Sequence, residues 1–162
     1  MKFGGNPMKQ RISYHAVAPK GVEAMRGLQA YVDGAGLEYK LVELVKTRAS
    51  QINGCAYCVG LHTKDARKSG ESEERLYALA VWRESPLFSE RERAALAWCE
   101  AVTLVSEGHV PDAVFEEAKG HFSEKELVDL TLAIVAINGW NRLAVSFRQM
   151  PAGTARVATA AQ

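Results

Sequence analysis

The sequence lacks the cysteines for a disulfide scaffold: three of them, Cys55, Cys58 and Cys99, cannot form a closed framework. It also lacks charge of one sign. Twenty lysines and arginines meet nineteen aspartates and glutamates, leaving a formal net charge of +1 and no overall field to draw in nucleic acid or an anionic membrane. No apolar run reaches the roughly 18 residues of a membrane span. The stretch Met1-Lys2-Phe3-Gly4-Gly5-Asn6-Pro7 is basic but has no apolar segment of the secretory-signal kind. Thirteen glycines and five prolines are an ordinary share, which excludes collagen-like and low-complexity chains. What is present is 162 residues, 48% of them hydrophobic. That suffices for one domain burying roughly 70% of its unfolded surface without covalent staples. A cytoplasmic enzyme or binding module is expected.

Apolar residues recur at helical spacing over Val22 to Val32 and over Leu37 to Ile52, where Leu37, Leu41, Leu44, Val45 and Ile52 share a face. Asn53-Gly54 supplies a stop, since both residues tolerate the left-handed conformation. A helix from Cys55 to about Gly70 follows, and Ser72 with Glu73 and Glu74 opens another that runs to about Trp82. Pro86 breaks the chain. Ser89 and Glu92 have capping-box spacing before an Ala-rich helix to about Val105, and Pro111-Asp112 fits the first turn of a shorter helix to Gly120. Ser123 and Glu126 repeat the box before Leu127 to Ile137. Within this last stretch Asn138-Gly139, flanked by branched residues, is also a β-hairpin signal. The upstream box and the absence of other strands favour a long helix, apolar nearly all round and therefore buried. The expectation is an all-α helical domain over residues 1–150 and a flexible tail over 151–162.

The chemistry concentrates in Cys55-Ala56-Tyr57-Cys58-Val59-Gly60-Leu61-His62. On a helix beginning at Cys55, Cys58 lies one turn on and His62 four residues later, so all three project from one face. Cysteines at this spacing can bridge without major backbone movement. The first turn favours thiolate over thiol by about 1 kcal/mol, and a neighbouring imidazole can take the proton. A thiolate attacking a peroxide O–O bond becomes a sulfenic acid, which a second thiol condenses to a disulfide.

Ser50-Gln51-Ile52-Asn53-Gly54-Cys55-Ala56-Tyr57-Cys58, with His62-Thr63 and Ala66-Arg67-Lys68-Ser69-Gly70, resembles the core of the AhpD-like alkylhydroperoxidases of the carboxymuconolactone decarboxylase superfamily. The close match spans about Glu43 to Trp82. It includes a glutamate twelve residues before the first cysteine, then C-x-x-C-x-x-x-H: Glu43, Cys55, Cys58 and His62. The resemblance implies an all-α, AhpD-like helical bundle assembled as a homotrimer or homohexamer. It further implies a cofactor-free peroxidase acting on organic hydroperoxides or hydrogen peroxide, with electrons from a thiol reductant or a lipoyl or thioredoxin-like donor. In that scheme Cys58 is the peroxidatic sulfur, Cys55 the more exposed resolving one, and His62 and Glu43 a proton relay. Position in the helix argues instead that Cys55, nearer the dipole end, is the more acidic. Tyr57 stands where some members place a histidine. The superfamily's decarboxylases generally lack the cysteine pair, which argues against lactone decarboxylation.

Each assignment has a plainer rival. On the helical wheel Glu43 lies opposite the Leu41/Val45 stripe, where a glutamate is ordinarily solvated. Cys99, among alanines, reads as inert packing. His15, His109 and His121 read as capping or surface residues. Asn138, Asn141 and Arg142 must find partners if buried, as in an interhelix or intersubunit network. Trp82, Trp98 and Trp140 read as core or interface, one of them a candidate wall of a peroxide pocket. General thiol–disulfide exchange is the nearest alternative activity. A non-catalytic zinc module using Cys55, Cys58, His62 and Glu43 is the alternative from another class, with three ligands on one helix making poor tetrahedral geometry. An interaction module with buried, inert cysteines is a further one.

Overall fold

In the computed structural model, which describes residues 9–151, a short helix and a long one lead into the bundle: α1 (Tyr14–Val17) and α2 (Pro19–Gly34). There follow α3 (Tyr39–Ile52), α4 (Ala56–Lys68), α5 (Glu73–Ala78) with a 3₁₀ extension over Leu79–Glu84, α6 (Glu90–Thr103), α7 (Val105–Gly108), α8 (Asp112–His121) and α9 (Glu124–Phe147). No strand occurs among the described residues. The hairpin alternative is therefore rejected: Leu132 to Val145 runs straight through as helix, because the Ser123 box starts it well upstream. Except for Pro151, the expected tail lies outside the described residues.

Both capping boxes form. Ser123 Oγ accepts the Glu126 N–H at 3.3 Å, and Glu126 Oε2 accepts the Ser123 N–H at 2.8 Å; Ser89 and Glu92 do the same. Ser123→Ala is expected to lower unfolding free energy by about 1 kcal/mol, measurable as a shifted denaturant midpoint with unchanged slope.

Helix α3 lies at the centre and packs on α4, α6 and α9. Leu44, Val45 and Ala49 are fully buried there, facing Ala95, Leu96 and Cys99 of α6 and Leu130 and Ile134 of α9. Because neighbours cover several sides of α3, its burial is not confined to one stripe: Glu43, Lys46, Thr47 and Ser50 are buried too. The two hydroxyls bond back to the Glu43 and Lys46 carbonyls at 2.7 Å.

Helix α9 differs from expectation. It is not buried all round, since Val128, Val135 and Val145 are 59%, 48% and 48% exposed. Its packing partners α2, α3, α4, α6 and α8 do not cover that stripe. By length and composition alone α9 could cross a membrane, yet it buries Asp129 and Asn141 along with its apolar core face. Other boundaries shift for local reasons. The helix from Ser72 tightens to 3₁₀ at Leu79, with Val81 outside helical geometry. The Ala-rich helix breaks at Leu104 (φ −98°, ψ 37°) before the short α7.

Candidate active site

Helix α3 ends at Ile52, and Gly54, at φ +64°, turns the chain so that Cys55 becomes the N-cap of α4. Cys55 is thus one residue outside the helix expected to begin on it. In that extended position its Sγ points back over the first turn and accepts the Cys58 N–H at 3.4 Å. The Cys58 Sγ lies 2.7 Å from it, with both thiols free. The Cys55 thiol is pulled down to about 7. The Cys58 thiol is its main stabilising partner, with backbone N–H groups and the Asn141 amide adding to it against the cost of burial. Cys58 is pushed up, because it donates to Cys55 and is itself buried. Above about pH 7 the pair shares one proton and one negative charge, with the charge on Cys55.

The expected difference in exposure is absent. Cys55 is 2% exposed and Cys58 3%. What separates them is direction: Cys58 lines a cavity of about 370 Å³, and Cys55 is not among its walls. Helix α4 also lends Tyr57, Leu61 and His62 to that cavity. Trp140 of α9 is the tryptophan that walls it, while Trp82 and Trp98 are buried and donate to Glu100 and Thr131. Tyr14 and His15 of α1 and Arg26 and Asp33 of α2 complete much of the rest. His15 is therefore exposed, as expected for a surface histidine, and also part of the pocket. No local pattern could reveal that, because α1 is a four-residue turn.

His62 projects toward α3, where its Nδ1 lies 2.8 Å from Glu43 Oε2. The solvated glutamate expected from the wheel is wrong: Glu43 is 2% exposed. Burial pushes its carboxyl up, but His62 and then Lys46 outweigh that and hold it below the usual range. An ionised carboxylate only accepts, so Nδ1 carries a proton, and in the neutral ring Nε2 is the nitrogen with the lone pair. Lys46 Nζ is 3.1 Å from Glu43 Oε1 and 3.6 Å from Asp33 Oδ1. Sequence reasoning missed Lys46, although its i,i+3 spacing from Glu43 was a usable signal.

Asn138 and Asn141 form the interhelix network. Asn53 Nδ2 donates to both of their side-chain oxygens at 2.9 Å, and Asn141 Nδ2 donates to Ser50 Oγ at 3.0 Å. Arg142 donates to Asn138 from the exposed side. Cys99, wholly buried, has its thiol pushed up to about 12 by desolvation and donates to the Val45 carbonyl, as inert packing should. Among the described residues no three His, Cys, Asp or Glu side chains converge to hold a metal ion. The zinc alternative therefore has no geometric support. Cys55 is sealed in, and His62 Nδ1 is committed to Glu43.

Comparison with known proteins adds four findings. The sequence pattern of the carboxymuconolactone decarboxylase family matches residues 17–101. The uncharacterized protein YdfG of Bacillus subtilis is 42% identical over 139 residues, 86% of this chain and 95% of that one. A crystal structure from Agrobacterium tumefaciens, of a protein of unknown function offered as an antioxidant defence protein AhpD, is 48% identical. It superposes with a TM-score of 0.87, covering 88% of this chain and 98% of that one. The debrominase Bmp8, 22% identical with a TM-score of 0.76 over 85% of this chain and 74% of its own, shares the fold.

Proposed function

This chain belongs to the carboxymuconolactone decarboxylase family, with an AhpD-like fold, and from that premise we propose that it is a thiol-dependent peroxidase reducing organic hydroperoxides or hydrogen peroxide. One arrangement carries the reading. Cys58 and His62 share the wall of one cavity, while Cys55 Sγ stands 2.7 Å behind Cys58 and Glu43 2.8 Å behind His62.

Cys58 loses its proton to His62, or to Cys55 across the short contact, and the thiolate attacks the distal peroxide oxygen. The O–O bond breaks, the alkoxide leaves with a proton as alcohol, and Cys58 becomes a sulfenic acid. Cys55 then attacks that sulfur. A disulfide forms, hydroxide leaves with a proton as water, and sulfur has given two electrons to the peroxide. An external dithiol restores both thiols. Acidity favours Cys55 as the thiolate, but access favours Cys58 as the attacker, and access decides: a sulfur outside the cavity cannot reach the O–O bond. The aromatic and aliphatic walls, Tyr57, Leu61 and Trp140, suit an organic hydroperoxide. The same proposal has the protein cofactor-free and in the reducing cytoplasm, with a lipoyl, thioredoxin-like or small dithiol donor. It also has the protein assembled as a homotrimer or homohexamer, for which the exposed valines of α9 offer an apolar face.

One equivalent of cumene hydroperoxide added to the reduced protein is expected to remove two thiols and lower the intact mass by two hydrogens, with Cys55 and Cys58 in one bridged peptide. Thiols that survive peroxide but exchange readily with a disulfide substrate would replace the proposal with general thiol–disulfide exchange.

A further inference from the structure

Lys46 is a charged side chain of the site that the reaction sequence above leaves unused. Its side chain is 5% exposed, and α3 places its ammonium one turn beyond Glu43, at 3.1 Å from Oε1. A lysine this buried carries a desolvation cost that only close counter-charge offsets. Packing alone would be served at lower cost by an aliphatic side chain.

The two oxygens of Glu43 face different partners: Oε1 meets Lys46 and Oε2 meets His62. A buried carboxylate requires one cation. With His62 as its sole partner, Glu43 would draw that cation from the imidazole, filling the nitrogen that must accept the Cys58 proton. With Lys46 in place the charge is already met, and Glu43 can orient the ring through Nδ1–H alone. We infer that Lys46 is a positioning residue that takes up the charge of Glu43, so that His62 stays free to accept a proton. Asp33 of α2 touches the same ammonium at 3.6 Å, but it is half exposed and its contact is screened. The other titratable groups around the relay are Tyr14 and His15 from α1, Arg26 from α2, Tyr39 from α3, and Tyr57 and Cys58 from α4. From α9 the cavity receives Trp140 and Ala144, neither charged. Arg26 is exposed and paired with Glu23, so Lys46 is the cation that reaches the buried carboxylate.

The role given to Lys46 rests on the peroxidase reading for its purpose, but its primary readout does not require turnover. The ring of His62 is titrated by NMR in the unsubstituted protein and in Lys46→Met, Lys46→Gln and Lys46→Arg, alongside pH–rate profiles with cumene hydroperoxide and dithiothreitol. Lys46→Met is expected to raise the ring's titration midpoint by about one unit or more. The acid limb of the rate profile moves the same way, so the loss is about tenfold on the acid side and recovers at alkaline pH. Lys46→Gln keeps a donor to Oε1 without the charge. It should show the same upward shift, and it carries the test if Lys46→Met does not fold. Lys46→Arg should restore both readouts. An unmoved ring midpoint with an equal loss at every pH would overturn the role and leave Lys46 as packing. The expected ring shifts in proteins that consume no peroxide, the unsubstituted one included, would support the charge role while ending the peroxidase reading.

Discussion

Peroxide consumption is expected to fall by at least about 10³-fold when Cys58 is replaced by serine, the scale on which nucleophile removal acts. A hydroxyl is a poor nucleophile toward the O–O bond at neutral pH, and the remaining sulfur, Cys55, lies outside the cavity walls. Cys55→Ser should behave differently. It removes the neighbouring sulfur that helps raise the Cys58 thiol and leaves His62 to take the proton, so the first step survives while the second cannot occur. Sulfenic acid then accumulates on Cys58, and dimedone should label that peptide after a single equivalent of hydroperoxide. The roles are reversed if Cys58→Ser keeps a fast first step and the label appears on Cys55.

The same pair sets the pH dependence. Below about 7 both sulfurs carry protons and reaction with peroxide is slow. As pH rises through about 7 the pair loses its first proton, from Cys55, and leaves one charge to be shared across the 2.7 Å contact. Thiol oxidation in unsubstituted protein is therefore expected to rise through that region and then level, because the second proton, on Cys58, is held far more tightly.

How much of this was legible in the sequence depended on how local its cause was. Ser89 and Ser123 announced their helices because a capping box is complete within four residues. The Cys55, Cys58 and His62 spacing is likewise the property of one helix end. The burial of Glu43 was not legible from periodicity. A helical wheel assumes one buried face, whereas α3 is covered by α4, α6 and α9 together. Only the resemblance, with its glutamate twelve residues upstream, pointed there. The exposed stripe on α9 was misread for the converse reason. Its valines look like core residues, and whether anything packs on them depends on partners elsewhere in the chain. Asn141 was placed in a polar network, but its amide also stabilises the Cys55 thiolate, a contact set by how α9 crosses the end of α3. His15 enters the cavity through a fold-back of the N-terminal segment. The Arg11 N–H donates to the Phe147 carbonyl there, which no short motif encodes.

His62→Ala separates a relay from a scaffold, with an expected loss of about 10²–10⁴-fold in turnover, the usual range for a positioned acid–base group. The substitution leaves Glu43 with Lys46 at 3.1 Å, so the buried carboxylate keeps a counter-ion and the melting temperature should change little. Glu43→Gln should also lose activity, because a neutral amide no longer compels Nδ1 to carry the proton. It differs in stability: Lys46 would stay buried with only the screened Asp33 contact at 3.6 Å. Removing one partner of a buried pair costs about 3–5 kcal/mol. The two variants thus share a catalytic defect and diverge in thermal unfolding. Added imidazole can occupy the space vacated by the ring and accept a proton there, so it should recover part of the His62→Ala rate without stabilising Glu43→Gln. If His62→Ala instead consumes peroxide at the unsubstituted rate near neutral pH, proton removal from Cys58 runs through Cys55 alone. The buried Lys46 and Glu43 and the part-buried His62 would then serve only to fasten α4 to α3.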